Sequence, residues 1–255
     1  DHYYGTDKYG RTYIGNVTDA YILDKNYNVV NNFSATGTIN VLGASSSRGE
    51  GAYGIYVSGA DNVKSEVFNA MGYNSTGDII VKNTGGGTAY GIYSERDMYV
   101  ETDENGNGIE DAEGNPIYIY NNTYNAFRSS KAYGGDNVAA KGTIDVEITG
   151  ASTSEHNAVG IYAAGDVFNA YTDSHSDVKL ETIGTIKIKD ASDSGNMFVK
   201  GIEAGGDKVA NAYLKGENLN TSSKAIGNII LESDASVVIS SHCGPRTIGI
   251  LYIMK

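Results

Sequence analysis

The sequence has no tryptophan and contains only one cysteine, two prolines and five arginines. The single cysteine, Cys243, excludes a disulfide within the chain, so the core and the backbone must hold the fold together. A net charge of −12 argues against nucleic-acid binding, because that binding depends on neutralising phosphates. No apolar run approaches the roughly 18 residues of a membrane span, so we predict no membrane insertion by this segment.

Catalytic signatures are missing as well. The chain contains no nucleophile elbow, zinc-protease or phosphate-loop motif. Its four histidines are scattered, and His175, between Asp173 and Asp177, has no second ligand at a recognisable metal-site spacing. We interpret that stretch as a polar turn between strands. The sequence therefore predicts no catalytic residues, no bound organic cofactor and no enzyme activity.

A repeat organises most of the chain. The element Gly-X-Ile recurs at 37–41, 77–81, 142–146, 184–188 and 227–231, with start-to-start spacings of 40, 65, 42 and 43 residues. A Gly-Ile element follows each of them, at 54–56, 91–93, 160–162, 201–203 and 249–251. An Asn-Ala pair follows the first four Gly-Ile elements, beginning at Asn69, Asn125, Asn169 and Asn211. Because the order never changes, we expect a structural unit of about 42 residues, present four times and then shortened.

Each unit has the pattern of short strands separated by glycine turns. In GTIDVEITG (142–150), Ile144, Val146 and Ile148 alternate with acidic residues, a period of two that is typical of a strand with one buried face. We expect Ile144, Val146, Ile161 and Val167 to lie in the core. The abundance of glycine and tyrosine among valine, isoleucine and threonine supports an all-β fold.

Two all-β architectures accept a repeat of this length. A β-propeller has blades of roughly 40–45 residues, and a right-handed parallel β-solenoid (β-helix) stacks rungs of roughly 20–25 residues. We favour the β-solenoid, because propeller blades carry a recurrent aromatic signature with tryptophan and because the spacing between elements varies here. With two rungs per repeat, the solenoid should have about ten rungs and, at roughly 4.8 Å per rung, a length of about 50 Å.

The repeat resembles that of bacterial autotransporter passenger domains and related β-helix adhesins, over roughly residues 30–255. The resemblance implies a β-solenoid that is extracellular or on the bacterial cell surface. The elements that carry it are Gly37–Val41, Ala52–Tyr56, Gly77–Val81, Ala89–Tyr93, Gly142–Val146 and Val159–Tyr162.

The repeat also divides the chain. We predict an N-terminal cap or atypical first rungs at 1–36 and solenoid repeats at 37–255. The repeats span 37–76, 77–141 with an insertion at about 101–116, 142–183, 184–226 and a shortened 227–255. The last repeat ends in an apolar strand, Gly249–Ile253, without a visible cap. Because an open strand edge is a template for strand addition, we expect this strand to contact another copy of the chain in an end-to-end assembly.

The insertion is the one segment with the chemistry of a binding site. DENGNGIED (103–111) resembles the calcium loops of EF-hand and thrombospondin-type repeats, in which alternate residues supply oxygens. The twelfth position is Gly114 instead of the EF-hand glutamate. We predict a structural calcium ion that fastens the loop, the alternative being a solvated acidic loop with Asn-Gly turns. The predicted ligands are Asp103, Asn105, Asn107, Ile109 through its carbonyl, Asp111 and Glu113.

Two residue types recur in register. Tyr56, Tyr93 and Tyr162 predict a ladder of stacked rings, although exposed tyrosines also suit sugar binding. The asparagines of the Asn-Ala pairs predict an internal ladder that hydrogen-bonds to turn backbones.

Three hypotheses about function follow. The first is an extracellular structural or adhesive β-solenoid that binds a host or glycan ligand on its sides. The second is a self-assembling filament subunit that stacks through open ends. The third is a polysaccharide-acting β-helix enzyme, which would need clustered carboxylates and a basic residue in one cleft, and which the scarcity of arginine disfavours.

Overall fold

A computed structural model gives the fold of the 255-residue chain. The structure describes residues 4–6, 12–14, 17–20, 35–47, 51–57, 66–72, 74–95, 98–101, 103, 105–120, 122–129, 139–153, 155–174, 179–193, 197–216 and 222–233. Gly249–Ile253, Cys243 and His175 lie outside the described residues.

Strands and turns make up the described part of the chain, with no helix among these residues. The strands are β1 (Tyr4–Thr6), β2 (Thr12–Ile14), β3 (Val17–Ala20), β4 (Ala35–Gly43), β5 (Ala52–Val57), β6 (Val67–Met71), β7 (Ser75–Asn83), β8 (Ala89–Ser94), β9 (Met98–Val100), β10 (Tyr118–Tyr120), β11 (Thr123–Ser129), β12 (Ala139–Gly150), β13 (His156–Ala163), β14 (Val167–Asp173), β15 (Glu181–Ser192), β16 (Met197–Ala204), β17 (Val209–Lys215) and β18 (Lys224–Ser233).

Three parallel sheets account for most of these strands, one sheet for each element of the repeat. The GTI sheet consists of β4, β7, β12, β15 and β18 in that order, and the GIY sheet of β5, β8, β13 and β16. The VFNA sheet consists of β3, β6, β11, β14 and β17. Along the chain, a VFNA strand, a GTI strand and a GIY strand follow one another repeatedly, so each repeat makes one coil. The fold is therefore a parallel β-solenoid, and the propeller alternative is wrong because propeller blades are antiparallel.

The rung count expected from the sequence is also wrong. We assumed rungs of roughly 20–25 residues, and hence two rungs per repeat. In the structure a repeat contributes one strand to each of the three sheets, and among the described residues the largest sheets contain five strands. At roughly 4.8 Å between neighbouring strands, this described stack is about 20 Å long, against the predicted length of about 50 Å for the whole solenoid. The hand of the coil stays a prediction.

Equivalent residues stack in register from one coil to the next. Gly37 pairs with Gly77, Gly77 with Gly142, Gly142 with Gly184, and Gly184 with Gly227. The long second repeat keeps this register because its extra residues leave the coil between β8 and β11. There β9 and β10 pair in antiparallel fashion, outside the three sheets, and the segment they enclose includes the predicted insertion at 101–116.

The hydrophobic core lies between the three sheets. The predicted core residues Ile144, Val146, Ile161 and Val167 are all 0 % exposed. The predicted alternation is confirmed along β12, where every second residue from Ala140 to Ile148 is buried. Buried residues of successive coils pack into one continuous cluster, so each coil contributes to the core. Full burial of one such aliphatic side chain stabilises the fold by about 1.5–3 kcal/mol.

Glycine at two positions of the repeat lets neighbouring strands approach closely. A Cβ at Gly142 would overlap the backbone carbonyl of Asn125, and a Cβ at Gly91 would overlap Ile144 and lie 2.6 Å from the Gly160 carbonyl oxygen. Because backbone atoms cannot move aside without shifting the strand, a side chain at either position would force the coil apart.

The N-terminal segment contributes to the solenoid. In β3, Val17 pairs with Val67 and Ala20 with Ala70, so residues 17–20 form the outermost strand of the VFNA sheet. Strands β1 and β2 form a separate antiparallel pair. The boundaries that the repeat pattern gave for its segments stay predictions.

Candidate functional site

An asparagine ladder runs along the VFNA sheet, as predicted. The Nδ2 of Asn69 donates to Oδ1 of Asn125, that of Asn125 to Asn169, and that of Asn169 to Asn211, each at 2.7 Å. Each Nδ2 also donates to the carbonyl of the GTI glycine in its own coil, as Asn125 does to Gly142 at 2.9 Å. The repeated asparagine therefore serves the fold, because it joins coil to coil and sheet to sheet.

One end of this ladder is incomplete. Asn69 is 0 % exposed, and its Oδ1 has no hydrogen-bond partner among the described residues. In the first coil Thr18 pairs with Phe68 and Ala20 with Ala70, which places Asp19 at the register position of Asn69. The first coil thus has an aspartate where the following coils have asparagine.

A second ladder, of aromatic rings, lies on the VFNA sheet. Phe68, Tyr124 and Phe168 stack at centroid distances of 4.9 and 5.3 Å. Three residues further along each strand, Phe127, Tyr171 and Tyr213 form a parallel row. Neither row was predicted, although the sequence has an aromatic residue or methionine on each side of Asn-Ala in VFNAM, TYNAF and VFNAY.

The predicted tyrosine ladder lies on the GIY sheet. The rings of Tyr56 and Tyr93 stack at 5.3 Å, and those of Tyr93 and Tyr162 at 4.7 Å. A second row, not predicted, stacks Tyr53 on Tyr90 at 5.3 Å with the ring planes 1° apart. Tyr53 and Tyr56 meet edge to face, so the two rows form one continuous aromatic cluster.

A buried histidine ties together the loops between the GTI and GIY sheets. His156 is 0 % exposed, with Nδ1 3.4 Å from Thr88 Oγ1 and Nε2 close to Ser152 Oγ. Ser152 Oγ also donates to the Ser46 carbonyl at 3.2 Å, so these contacts join loops of three coils. We interpret this serine–histidine pair as structural, because the imidazole is fully buried and its two ring nitrogens contact Thr88 and Ser152.

Charged side chains form a short ladder on the outside of the GTI sheet. Glu147 lies 2.6 Å from Lys82 Nζ and 3.4 Å from Lys189 Nζ, one lysine in each adjacent coil. The hydrogen bond from Lys82 is the main cause of the lowered pKa of Glu147. Such exposed pairs contribute little to stability.

The acidic insertion folds into two tandem turns of the same design. Asp103 Oδ1 accepts the backbone N–H groups of Asn105 and Asn107 at 2.9 Å, and Asn107 Nδ2 donates to Asp103 Oδ2 at 3.1 Å. Gly106 has φ of 87° and donates to the Asp103 carbonyl. These bonds to the carboxylate, led by the one from the Asn107 side chain, lower the pKa of Asp103.

The second turn follows eight residues later. Asp111 Oδ1 accepts the N–H groups of Glu113 at 3.0 Å and Asn115 at 2.8 Å, and Gly114 has φ of 83°. Asn115 also donates through Nδ2 to Asp111 Oδ2, and the hydrogen bonds from Asn115 are the main cause of the lowered pKa of Asp111.

Three backbone hydrogen bonds hold the two turns together. Ile109 N–H donates to Glu101, Ile117 N–H to Ile109, and Glu101 N–H to Ile117, at 2.8 or 2.9 Å. The three residues are eight positions apart, so this closed triangle makes the turns and the start of the β9–β10 arm one small unit.

The six predicted calcium ligands are divided between these turns. Asp103, Asn105 and Asn107 belong to the first turn, Asp111 and Glu113 belong to the second, and Ile109 lies between them. No group of three histidine, cysteine, aspartate or glutamate side chains in the described part of the chain is arranged to hold a metal. Because half of the predicted ligands are amide or carbonyl oxygens, that observation does not test the calcium site, which stays a prediction.

Comparisons of the chain with protein-family models, curated proteins and solved structures give no match. Among the residues that the structure describes, there is no helix of the length and apolarity needed to cross a membrane. The interpretation of function therefore depends on the geometry of the molecule alone.

Proposed function

We propose that the chain is a structural and adhesive β-solenoid of the bacterial cell surface or extracellular space, without catalytic chemistry of its own. One observation carries the proposal: the residues that recur in the repeat are used for contacts between coils. Asn125, Gly142, Ile144 and Tyr93 are all engaged with their counterparts in adjacent coils or with neighbouring strands. What remains for function is the outer surface of a rigid stack.

Adhesion is tested with the full chain attached to fluorescent beads. The beads should be retained under flow on a surface coated with cells or extracellular matrix more strongly than beads carrying an unfolded variant such as Ile144→Asp. Equal retention of the two kinds of bead would contradict the adhesive role.

The enzymatic alternative is tested separately. Incubation of the chain with acidic polysaccharides should release neither reducing ends nor unsaturated products. Turnover in that assay would replace the structural proposal with the polysaccharide-acting enzyme.

A filament subunit is the second candidate. Core residues of the outermost described strands, such as Ile39 and Val41 at one end and Ile229 and Leu231 at the other, are only partly buried. Leu42 is 75 % exposed on the first GTI strand, and Ile230 is 42 % exposed on the last. Edges of this kind favour in-register stacking of copies.

Negative-stain microscopy of the purified chain should then show filaments, and deletion of residues 247–255 should abolish them. A strictly monomeric chain at high concentration would contradict the filament hypothesis.

A calcium ion in the arm is a further part of the proposal. Its oxygen ligands suit calcium, but binding requires the carboxylates of Asp103 and Asp111 to exchange hydrogen bonds within their own turns for the ion. Calorimetric titration of the full chain with calcium should show one site that Asp103→Ala removes. If no heat is observed at high calcium concentration, the carboxylates serve only the turns.

A further inference from the structure

We propose that the tyrosine cluster on the GIY sheet is a binding site for neutral carbohydrate. The tyrosine face is defined here as Tyr53, Tyr56, Tyr90, Tyr93 and Tyr162, together with Glu95. The inference rests on the proposed adhesive function, and it names the site and the chemical class of the ligand.

Exposure distinguishes this cluster from the aromatic rows of the VFNA sheet. On the VFNA sheet Phe68 and Phe168 are 2 % exposed and Tyr124 is 5 % exposed, so that cluster is part of the interior. On the tyrosine face Tyr56 is 53 % exposed and Tyr53, Tyr93 and Tyr162 are partly exposed, whereas Tyr90 is 8 % exposed and supports them from below. Aromatic side chains that share a partly exposed surface are typical of an interaction site.

The hydroxyl groups point to the same conclusion. Ring stacking alone does not need a hydroxyl, and the VFNA rows use phenylalanine at 68, 127 and 168. By contrast, every phenylalanine, tyrosine or tryptophan position of β5, β8 and β13 is occupied by tyrosine. Tyrosine provides a rigid contact surface with an apolar body and a polar tip, which suits a ligand that is both polar and apolar.

The orientation of the rings selects the kind of ligand. Stacking of Tyr53 on Tyr90 and of Tyr56 on Tyr93, with planes 1° and 2° apart, covers most of the ring faces. The partly exposed rings of this face therefore offer mainly their edges to solvent, whereas Tyr90 is buried. Aromatic edges carry positive partial charge and attract oxygen atoms, whereas cations prefer ring faces. This arrangement favours a polyhydroxylated ligand over a cationic peptide.

Tyr56 is the first ring of its row among the described residues, because the described part of the GIY sheet begins at β5. Its exposed surface can accept the C–H groups of one sugar ring, while neighbouring ring edges bind the oxygens of the next.

Carboxylates complete the site. Glu95 is exposed directly after β8, its N–H donates to the Val57 carbonyl at 2.9 Å, and its carboxylate accepts the Tyr93 hydroxyl. Glu203 forms an ion pair with Lys200 at 3.0 Å, so the ammonium group of Lys200 is neutralised. Carboxylates accept hydrogen bonds from sugar hydroxyls and repel acidic sugars, so the face fits neutral glycans.

The tyrosines keep their protons at physiological pH. Burial is the main cause of the raised pKa of Tyr53 and Tyr162, and it raises the pKa of Tyr90 to about 12. Tyr53 and Tyr162, which are partly exposed, therefore remain hydrogen-bond donors for a sugar.

The test is titration of the full chain with neutral tetrasaccharides of glucose, mannose, galactose and N-acetylglucosamine. Tyrosine fluorescence reports binding without interference, because the chain has no tryptophan. We expect saturable binding of at least one of these sugars, weakened about tenfold by Tyr56→Ala and several-fold by Glu95→Gln. Tyr56→Phe keeps the stacked ring, so it should preserve the melting temperature and weaken binding less than Tyr56→Ala.

Matched controls lie on the other two sheets. Tyr213→Ala on the VFNA sheet and Glu232→Gln on the GTI sheet should leave sugar affinity unchanged. Tetragalacturonate and octalysine serve as acidic and cationic probes. Absence of binding by every neutral sugar, sugar binding that Tyr56→Ala does not change, or preferential octalysine binding lost in Tyr56→Ala would each overturn the proposal.

The bead assay separates this inference from the proposed function. Beads that adhere equally well with Tyr56→Ala would leave the adhesive function standing and remove the tyrosine face as its site. Sugar binding without adhesion of the beads would support the site and contradict the adhesive function.

Discussion

The coils and the β9–β10 arm both use asparagine and glycine, but their hydrogen bonds span different distances along the chain. In the coils Asn125 donates to Asn169, 44 residues away. In the arm Asn107 donates to Asp103, four residues away. The same residue types therefore produce order that depends on the whole stack in one region and on five residues in the other.

This difference has consequences for stability. Substitution of a ladder asparagine leaves hydrogen-bonding groups unpaired in the coils on both sides, because the ladder passes through the core. Substitution of a turn residue in the arm breaks hydrogen bonds only within its own turn, where water replaces them. We expect damage to spread in the coils and to remain local in the arm, which the following substitutions test in decreasing order of effect.

The largest effect should come from Ile144→Asp. Ile144 is 0 % exposed in the core between the sheets, and an unpaired charge there costs several kcal/mol. Thermal and urea unfolding followed by circular dichroism should show loss of the whole solenoid. Thr185→Asp, at the outward position before Ile186 on the adjacent strand β15, is the control and should have little effect, because its register partners Thr143 and Asn228 carry no charge. An unchanged melting temperature for Ile144→Asp would contradict the register of β12.

The ladder gives an intermediate effect. Asn125→Ala removes the donor to Gly142 and Asn169 and leaves buried groups unpaired on both sides, which should destabilise the fold by about 3 kcal/mol. Asn211→Ala, at the exposed end of the ladder, should lower the free energy of unfolding by about 1 kcal/mol or less. Urea denaturation measures both values. Equal losses would mean that position in the ladder does not matter.

Completion of the ladder should have a smaller, stabilising effect. Asn69 Oδ1 lacks a donor among the described residues, and residue 19 lies at its register position. An asparagine introduced as Asp19→Asn can donate to that oxygen and should stabilise the fold by about 1 kcal/mol. Asp19→Ala controls for loss of the charge alone. If both variants gain the same stability, the gain comes from removal of the carboxylate and not from the ladder.

The sequence predicted the features that a repeat makes visible. Period-two alternation placed Ile144 and Val146 in the core, and the constant order of the repeat elements aligned Asn69 with Asn125 and Tyr56 with Tyr93. It did not predict three sheets per coil, because the VFNA strands are short and we took each repeat for two rungs. Strand number per coil depends on where the chain bends, which the spacing of motifs does not specify.

The tandem design of the arm was not predicted, for a different reason. The comparison with calcium loops considers every second residue of one loop, and the alternative of Asn-Gly turns does not relate one turn to the next. In the structure the turns repeat with a period of eight, from Asp103 to Asp111 and from Asn107 to Asn115, and the calcium ligands stay a prediction. The tyrosine and phenylalanine rows of the VFNA sheet were hidden in a similar way, because Phe68 aligns with Tyr124 and not with another phenylalanine.

The smallest effect on global stability should come from Asp111→Ala in the arm. The Asp111 carboxylate accepts the N–H groups of Glu113 and Asn115, so its loss should expose those amides to exchange without changing the melting temperature of the solenoid. Hydrogen exchange resolved by residue measures this, with Glu113→Ala as the control that removes a neighbouring charge but keeps both bonds.

The pH dependence of the turn has a defined sign. Because the pKa of Asp111 is lowered in the fold, its carboxylate stabilises the turn above the ordinary carboxyl pKa of about 4, and this stabilisation is lost as the pH falls further. Acid should therefore lower the protection of the Glu113 and Asn115 amides, after correction for the intrinsic exchange rate at each pH, in the wild-type chain but not in Asp111→Ala, where that protection is already lost. A fall in the melting temperature of Asp111→Ala comparable to that of Asn125→Ala would show that the arm and the coils are one cooperative unit.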